Sequence, residues 1–157
     1  MKKRESFQTK LHRLLFNFYP SYRRTGGRVT FIADDGSEIR VKIPLNWKTR
    51  NYVGTTFGGS LYGAVDPVYM VMLIKCLGPD YIVWDKAATI TFIKPGRSTL
   101  YATFKINDSE IDLIRKKLDT EVKIDRVYTC DLVDCTGVVH AKVEKVIYIR
   151  KKNINSQ

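Results

Sequence analysis

The spacing of hydrophobic residues predicts three helices. Residues 7–18 carry apolar side chains at intervals of three and four, which indicates a short amphipathic helix that ends at a Tyr-Pro pair. Residues 60–77 are apolar on every side and are followed by a Gly-Pro pair, which predicts a long helix wrapped by protein. Residues 107–119 begin with Asp108 as the N-cap and carry apolar residues on one face, so they predict a third, shorter helix.

Alternation of apolar and polar residues predicts six strands. Residues 28–33 and 38–43 alternate around the turn at 34–37, which is typical of a hairpin. Four longer runs are rich in Val, Ile, Thr and aromatic residues, at 81–93, 99–106, 121–133 and 138–149. The order of these elements predicts an α+β fold in which one curved antiparallel sheet wraps one hydrophobic helix.

Positive charge is concentrated at the start of the chain. The 157 residues contain 27 Lys and Arg against 16 Asp and Glu, which gives a net charge of +11. Residues 1–28 supply +7 of it, because they hold eight basic residues and one acidic residue, Glu5. We therefore expect a basic amphipathic arm at 1–25, the main domain at 26–150 and a polar tail at 151–157.

Such a charge predicts an anionic partner: a phosphate-bearing metabolite, a membrane surface, an acidic protein or, least expected here, nucleic acid. The apolar face of the arm is expected to cover one face of the sheet, with its basic side in solvent. The alternative is that the arm makes peripheral contact with a membrane or a polyphosphate.

The sequence favours a reducing, cytoplasmic setting. Its three cysteines show no C-x-x-C spacing, and polar residues interrupt what an export signal would need as an unbroken apolar stretch. Residues 57–74 are long enough for a membrane span, but Asp66 and Pro67 lie at the centre, so a buried core helix is expected instead. No His, Cys or carboxylate cluster has the spacing of a metal site, and no cofactor is indicated. His140 is interpreted as a strand residue.

The segment 51–60, followed by Asp66, is where chemistry is expected. Gly58 and Gly59 permit a close backbone approach, and at a helix start their N–H groups are unpaired and can polarise a carbonyl. If the helix already runs at Gly59, then Gly63 and Asp66 share its face, with Asp66 roughly 10 Å along the axis. A carboxylate in that apolar setting is desolvated and suits a general base or nucleophile, unless a donor compensates.

Two readings of the charged residues stay open at this point. Asp66 is equally well explained as an N-cap with Pro67 as the first helical residue, and Ser60 offers another cap. Asp85 and Lys86 interrupt an apolar strand. Either Asp85 turns toward the helix and helps to hold a substrate, or both residues face solvent at a sheet edge.

The spacing N-x-x-G-x-x-F-G-G-x-x-x-x-x-x-D, from Asn51 to Asp66, resembles the N-x-x-G-x-x-H-G-G-x-x-x-x-x-x-D signature of PaaI-type acyl-CoA thioesterases of the hotdog fold. The run T-I-T-F-I-K-P-G at 89–96 is similar to the strand and turn that follow the central helix in that family. With G-T-x-F-G-G-S-L and V-W-D-K, the chain is most similar to a thioesterase-like branch of the superfamily akin to the YiiD-type C-terminal domain.

The resemblance implies a hotdog fold and a site between two protomers, in a homodimer or a dimer of dimers. Asp66 then activates water or attacks the thioester carbonyl, the Gly59 N–H belongs to the oxyanion hole, and Asn51 orients the water or the thioester. Further substrate contacts are implied or inferred for Gly58, Phe57, Thr55, Ser60, Asp85 and Lys86.

Three residues depart from the signature or its surroundings. Phe57 replaces the histidine before the glycines, Pro67 follows the acid, and Asp85 stands where relatives often carry a hydroxyl. The expected function is hydrolysis of an acyl-CoA or a similar thioester. The alternative is a non-catalytic module that binds acyl-CoA or lipid, for which Phe57 and Pro67 are the supporting departures.

Overall fold

The computed structural model describes residues 3–152, which form five helices and six strands. The helices are α1 Phe7–Phe18, α2 Pro20–Arg24, α3 Gly58–Val65, α4 Val68–Leu77 and α5 Asp108–Lys117. The strands are β1 Arg28–Ile32, β2 Glu38–Ile43, β3 Tyr81–Phe92, β4 Leu100–Lys105, β5 Ile124–Val133 and β6 Val139–Lys151. Most of the tail predicted at 151–157 lies outside the described residues.

The strands form one antiparallel sheet in the order β1-β2-β4-β5-β6-β3. Long ladders join β5, β6 and β3, whereas β4 and β5 pair only at Tyr101 and Val133. Strands β1 and β3 are the edges, and β3 is the longer of the two, at 12 residues. The predicted α+β architecture of a curved sheet with a hydrophobic helix against it is confirmed.

The core lies between the sheet and the helical segment α3–α4. Alternate residues of the strands point inward, as in β4, where every second side chain is buried. The helices meet them with a buried apolar set: Leu61, Ala64, Val65, Val68, Met72, Leu73 and Leu77. The sheet therefore fixes which face of the helical segment is buried and which remains available.

The long central helix differs from its prediction in two ways. It is interrupted at Asp66 and Pro67, because proline has no N–H to donate to the carbonyl of Gly63, four residues earlier. It is also not wrapped on every side, since Ile74 and Lys75 are exposed. The stretch Gly58–Leu77 has the length and mean hydropathy, 1.3, of a membrane span, but half of it is buried in the protein.

Two smaller expectations are also corrected. The N-cap of α5 is Asn107, whose side chain accepts from the N–H of Glu110, and Asp108 is the first helical residue. In α1, the apolar stripe does not cover the sheet: Phe7, Leu11, Leu14, Leu15 and Phe18 are exposed.

The polar side of α1 faces the protein because it completes the edge strand β1. Asn17 donates to the Val29 carbonyl at 2.8 Å and accepts from the Val29 N–H at 2.8 Å. Glu5, which precedes the helix, accepts from the Ile32 N–H at 2.9 Å. Unpaired backbone groups of an edge strand need such partners, so hydrogen bonding sets the orientation of α1.

Candidate functional site

Asp66 lies at the break between α3 and α4, where two donors hold one of its oxygens. The Tyr62 hydroxyl donates to Asp66 Oδ1 at 2.5 Å, and Lys145 Nζ donates to the same oxygen at 2.6 Å. No donor contacts Oδ2 within residues 3–152, and the side chain is 42% exposed. Asp66 is therefore not the desolvated carboxylate expected from the sequence. It is an anchored one with a free oxygen.

Lys145 is a buried cation on the inward face of β6. Its side chain is 3% exposed, and it is in phase along the strand with the buried residues Val143 and Ile147. Burial disfavours its charge, but the hydrogen bond to Asp66 and the negative charges of Asp66 and Asp85 outweigh burial and raise the pKa of Lys145. Lys145 stays protonated and serves as a fixed positive charge.

Asp85 is the second carboxylate of this cluster. Its Oδ1 lies 3.2 Å from Lys145 Nζ, outside hydrogen-bonding angles, and this buried oxygen has no hydrogen-bond partner among the described residues. Burial raises the pKa of Asp85, because the attraction of Lys145 offsets only part of the lost hydration. Asp66, Asp85, Lys145 and Tyr62 are called the carboxylate cluster below.

A β-bulge separates Asp85 from its neighbour Lys86. The register with β6 shifts between Asp85 and Ala87, so that Lys86 is the extra residue. Lys86 is exposed and forms an ion pair with Asp125 at 2.5 Å. The sequence left open whether Asp85 points toward the helix or whether both residues face solvent. In the structure Asp85 points inward and Lys86 faces solvent. The structure does not bring Lys86 into the cluster.

Asp66 also lines a cavity that lies between α1–α2 and the free face of α3–α4. The cavity has a volume of about 720 Å³, within the usual range of small-molecule sites. Its walls are mostly apolar, with contributions from Leu15, Phe16, Tyr22, Ile39, Val71 and Met72. A space of this kind can accept an alkyl or aromatic group while Asp66 meets the polar end.

The glycine pair begins α3, as the resemblance implies. Phe57 is the N-cap and makes no side-chain capping bond, and no acceptor within the described chain lies in reach of the Gly58 or Gly59 N–H groups. The reading of Asp66 as an N-cap is wrong, because its side chain bonds Tyr62 and Lys145 and caps nothing in α4. The N–H groups at the start of α3 remain available as donors.

Phe57 takes a position that only glycine at 59 permits. A Cβ built on Gly59 would lie 2.4 Å from Cε1 of the Phe57 ring, so the ring packs directly on this residue. On the other side, a Cβ on Gly58 would lie 2.8 Å from Cζ of Phe92. Two aromatic rings therefore flank the free N–H groups and limit how a substrate reaches them.

Asn51 organises the loop that precedes α3. Its Oδ1 accepts from the N–H of Val53 at 3.2 Å and from that of Thr55 at 2.9 Å, and its Nδ2 donates to Thr55 Oγ1 at 2.8 Å. Asn51, Thr55 and Gly58 line a depression of about 380 Å³, while Ser60 is buried in α3. In one protomer, this depression and the cavity of Asp66 have no lining residue in common.

Sequence reasoning missed Lys145 and Tyr62. A signal for Lys145 exists in the alternation of β6, where it occupies an inward position among Ala141, Val143 and Ile147. A charged side chain that points into the core needs a partner of opposite charge. Tyr62 precedes Asp66 by one helical turn, a spacing that lets two side chains meet. His140 lies in β6, as predicted, between Pro95 and Asp134 and apart from the cluster.

Solved structures share this architecture over nearly their whole length. The protein of unknown function PA5026 from Pseudomonas aeruginosa, described as a probable thioesterase, superposes with a TM-score of 0.81 at 18% identity, over 92% of this chain and 96% of that one. Thioesterase HI1161 from Haemophilus influenzae gives a TM-score of 0.70 at 13% identity, over 99% and 100%. Both likenesses establish the hotdog fold.

No curated protein matches the chain. A family profile matches residues 8–149, a span that begins inside α1 and ends inside β6. The chain therefore belongs to the family described as "Domain of unknown function (DUF4442)" and has the hotdog fold.

Proposed function

We propose that the protein is a thioesterase that hydrolyses an acyl-CoA or a similar acyl thioester. The observation that carries this proposal is the carboxylate at the edge of an apolar cavity of about 720 Å³, with Oδ1 of Asp66 anchored by Tyr62 and Lys145 and Oδ2 free. An anchored carboxylate with one free oxygen can orient a water molecule and take its proton. An acyl group bound in the cavity would present its carbonyl near this end.

In the proposed reaction, Asp66 Oδ2 accepts a proton from water while the water oxygen attacks the thioester carbonyl carbon. The carbonyl oxygen becomes an oxyanion, which the free Gly59 N–H at the start of α3 of a second copy of the chain stabilises. Collapse of this intermediate breaks the C–S bond, and the proton held by Asp66 passes to the departing thiolate. The products are a carboxylic acid and a thiol, and Asp66 is regenerated.

A second copy of the chain is expected to complete the site. In one protomer, the Asn51 depression and the Asp66 cavity are separate, whereas the resemblance puts such sites between protomers. The long edge strand β3 presents unpaired backbone groups, which favours pairing with another copy in a homodimer or a dimer of dimers. Lys94 lines the Asn51 depression and is a candidate to meet the phosphates of CoA.

The test is thiol release from short, long and aromatic acyl-CoAs by wild type, Asp66→Asn and a matched control. Asp131→Asn is that control, because Asp131 is a surface carboxylate of β5 that pairs with Lys142. We expect turnover to fall by about 10²–10⁴ in Asp66→Asn and to persist in Asp131→Asn. Equal loss in both variants, or none in Asp66→Asn, contradicts the assignment.

The second candidate is a non-catalytic module that binds acyl-CoA or lipid. It is favoured by the Phe57 ring, which packs on Gly59, and by Lys145, which neutralises charge on Asp66. Acyl-CoA binding by calorimetry without turnover on any substrate would support it.

All three cysteines are free thiols, which suits the reducing cytoplasm proposed for either function.

A further inference from the structure

Helix α1 presents its apolar stripe to solvent. Five apolar side chains, spaced three or four residues apart, are 46–85% exposed: Phe7, Leu11, Leu14, Leu15 and Phe18. The opposite side of the helix faces the protein, with Thr9 buried and Arg13, Phe16 and Asn17 partly buried. A surface helix ordinarily has the reverse orientation.

This orientation is fixed by several specific contacts. Arg13 Nε donates to Glu5 Oε1 at 2.9 Å, and the same carboxylate oxygen accepts from Ile32 N–H of the edge strand at 2.9 Å. The reciprocal bonds of Asn17 with Val29 hold the other end of the helix. Rotation of α1 to bury its apolar stripe would break these contacts and leave backbone groups of β1 unpaired. The exposed stripe is therefore a stable feature of the fold.

The surface beside the stripe is basic and aromatic. Phe18, Arg23, Arg24, Trp47 and Lys48 line one shallow depression next to the end of α1. Trp47 is largely exposed, and within residues 3–152 no carboxylate lies within salt-bridge distance of Arg23, Arg24 or Lys48. Apolar residues flanked by basic ones and by tryptophan are typical of helices that lie at the interface of anionic lipid membranes.

We propose that the outward face of α1, together with Trp47, Lys48, Arg23 and Arg24, docks on the surface of an anionic lipid bilayer. Charge favours this occupant over a second copy of the chain. Pairing through α1 would bring together two segments that each carry +7 over residues 1–28. A bilayer with acidic headgroups instead meets the apolar stripe and the basic side chains at once.

The docked face adjoins the cavity of the proposed site. Leu15 belongs to the exposed stripe and also lines the cavity that Asp66 borders, as does Tyr19 just beyond α1. Membrane docking would thus place the mouth of the cavity at the level of the lipid. Resting on the proposed thioesterase function, this geometry points to substrates with membrane-soluble acyl chains, which would enter the cavity beside α1.

The test is co-sedimentation of the full-length protein with vesicles of phosphatidylcholine, with or without phosphatidylserine. We expect binding to the vesicles that contain phosphatidylserine, weakened by salt. Leu11→Glu should weaken it at least about tenfold, and the double variant Arg23→Gln/Arg24→Gln roughly thirtyfold. Val122→Glu is the matched control, because Val122 is exposed but lies between α5 and β5.

Binding that Leu11→Glu leaves unchanged, or that is equal for both vesicle types, overturns the proposal. The proposal is also overturned if the wild-type protein does not bind vesicles but self-associates in light scattering, and Leu11→Glu abolishes that self-association. This result would assign the face to a second copy of the chain. Asp66→Asn should bind vesicles as the wild type does. Vesicle binding with no thioester turnover would refute the proposed enzyme and leave the docking surface standing.

Discussion

Replacement of Lys145 by methionine is the most informative perturbation of the carboxylate cluster. Methionine is unbranched and can fill much of the space of the lysine stem, but it removes the charge. Asp66 Oδ1 would keep only the Tyr62 hydroxyl, and the buried Oδ1 of Asp85 would lose its neighbouring cation. The variant therefore separates the charge of Lys145 from its bulk.

The expected loss of stability follows from the burial of Lys145, beside a partly buried Asp85 and a partly exposed Asp66. Breaking a buried ion pair typically costs 3–5 kcal/mol, and we expect about 2–3 kcal/mol here because Asp66 can be hydrated and Asp85 can take up a proton. The pKa of Lys145 is raised above its reference value of 10.5. Its charge thus stabilises the fold below pH 10.5, and this contribution is lost as pH rises through the pKa of Lys145 in the folded state. The difference in unfolding free energy between wild type and Lys145→Met should persist at neutral pH and shrink at strongly alkaline pH.

The assays are chemical unfolding and thiol release, each as a function of pH. We expect kcat to fall roughly tenfold to a hundredfold, because Asp66 loses the donor that orients it. Lys142→Met is the matched control, because Lys142 is the exposed lysine of the same strand. If the two variants are equally stable and equally active, the role assigned to Lys145 is refuted.

Two further predictions concern the glycine pair and the second carboxylate. Gly59→Ala should reduce turnover, because the new Cβ would meet the Phe57 ring at 2.4 Å. If crowding is the cause, Phe57→Ala in the same chain should restore activity, and a failure to restore it would point to the backbone instead. Asp85→Asn should stabilise the protein at neutral pH, because the pKa of Asp85 is raised in the folded protein. Protonated Asp85 contributes its full stability below the reference pKa of 3.8, and this contribution is lost as pH rises through the pKa of Asp85 in the folded state. Asparagine cannot ionise and therefore avoids this loss. Unfolding midpoints measured from about pH 3 to about pH 8 should show this gain opening with pH, and a constant difference would contradict it.

The sequence predicted most of the fold because each element carries its own periodic signal. The hairpin turn at 34–37 and the strands around it appear where alternation and turn residues agree. The orientation of α1 was not predictable in the same way. Apolar spacing reveals that a helix has two faces, but which face meets the protein depended on the hydrogen bonds that Asn17 and Glu5 supply to β1.

For the candidate site, the sequence located Asp66 and the start of α3 but not the support of the carboxylate. Lys145 is 79 residues away from Asp66, so their contact depends on the packing of β6 against α3. Asp85 lies opposite Ile147 and in phase with the buried Val83, so it points inward ahead of the bulge at Lys86. Its contact with Lys145 depends on how β3 pairs with β6. Contacts of this kind are products of sheet register and are absent from local patterns.

Two of the departures from the thioesterase signature, Pro67 and Asp85, act at the same place. Pro67 interrupts the helix directly after Asp66, and Asp85 adds a second carboxylate beside it. Lys145 contacts both carboxylates and brings the cluster to a net charge of −1 when both are ionised. Since burial raises the pKa of Asp85, a proton on that group would leave Asp66 and Lys145 as a balanced pair. Lys145 thus joins Asp85 to Asp66, the residue that Pro67 follows, and this arrangement is compatible with a catalytic role for Asp66.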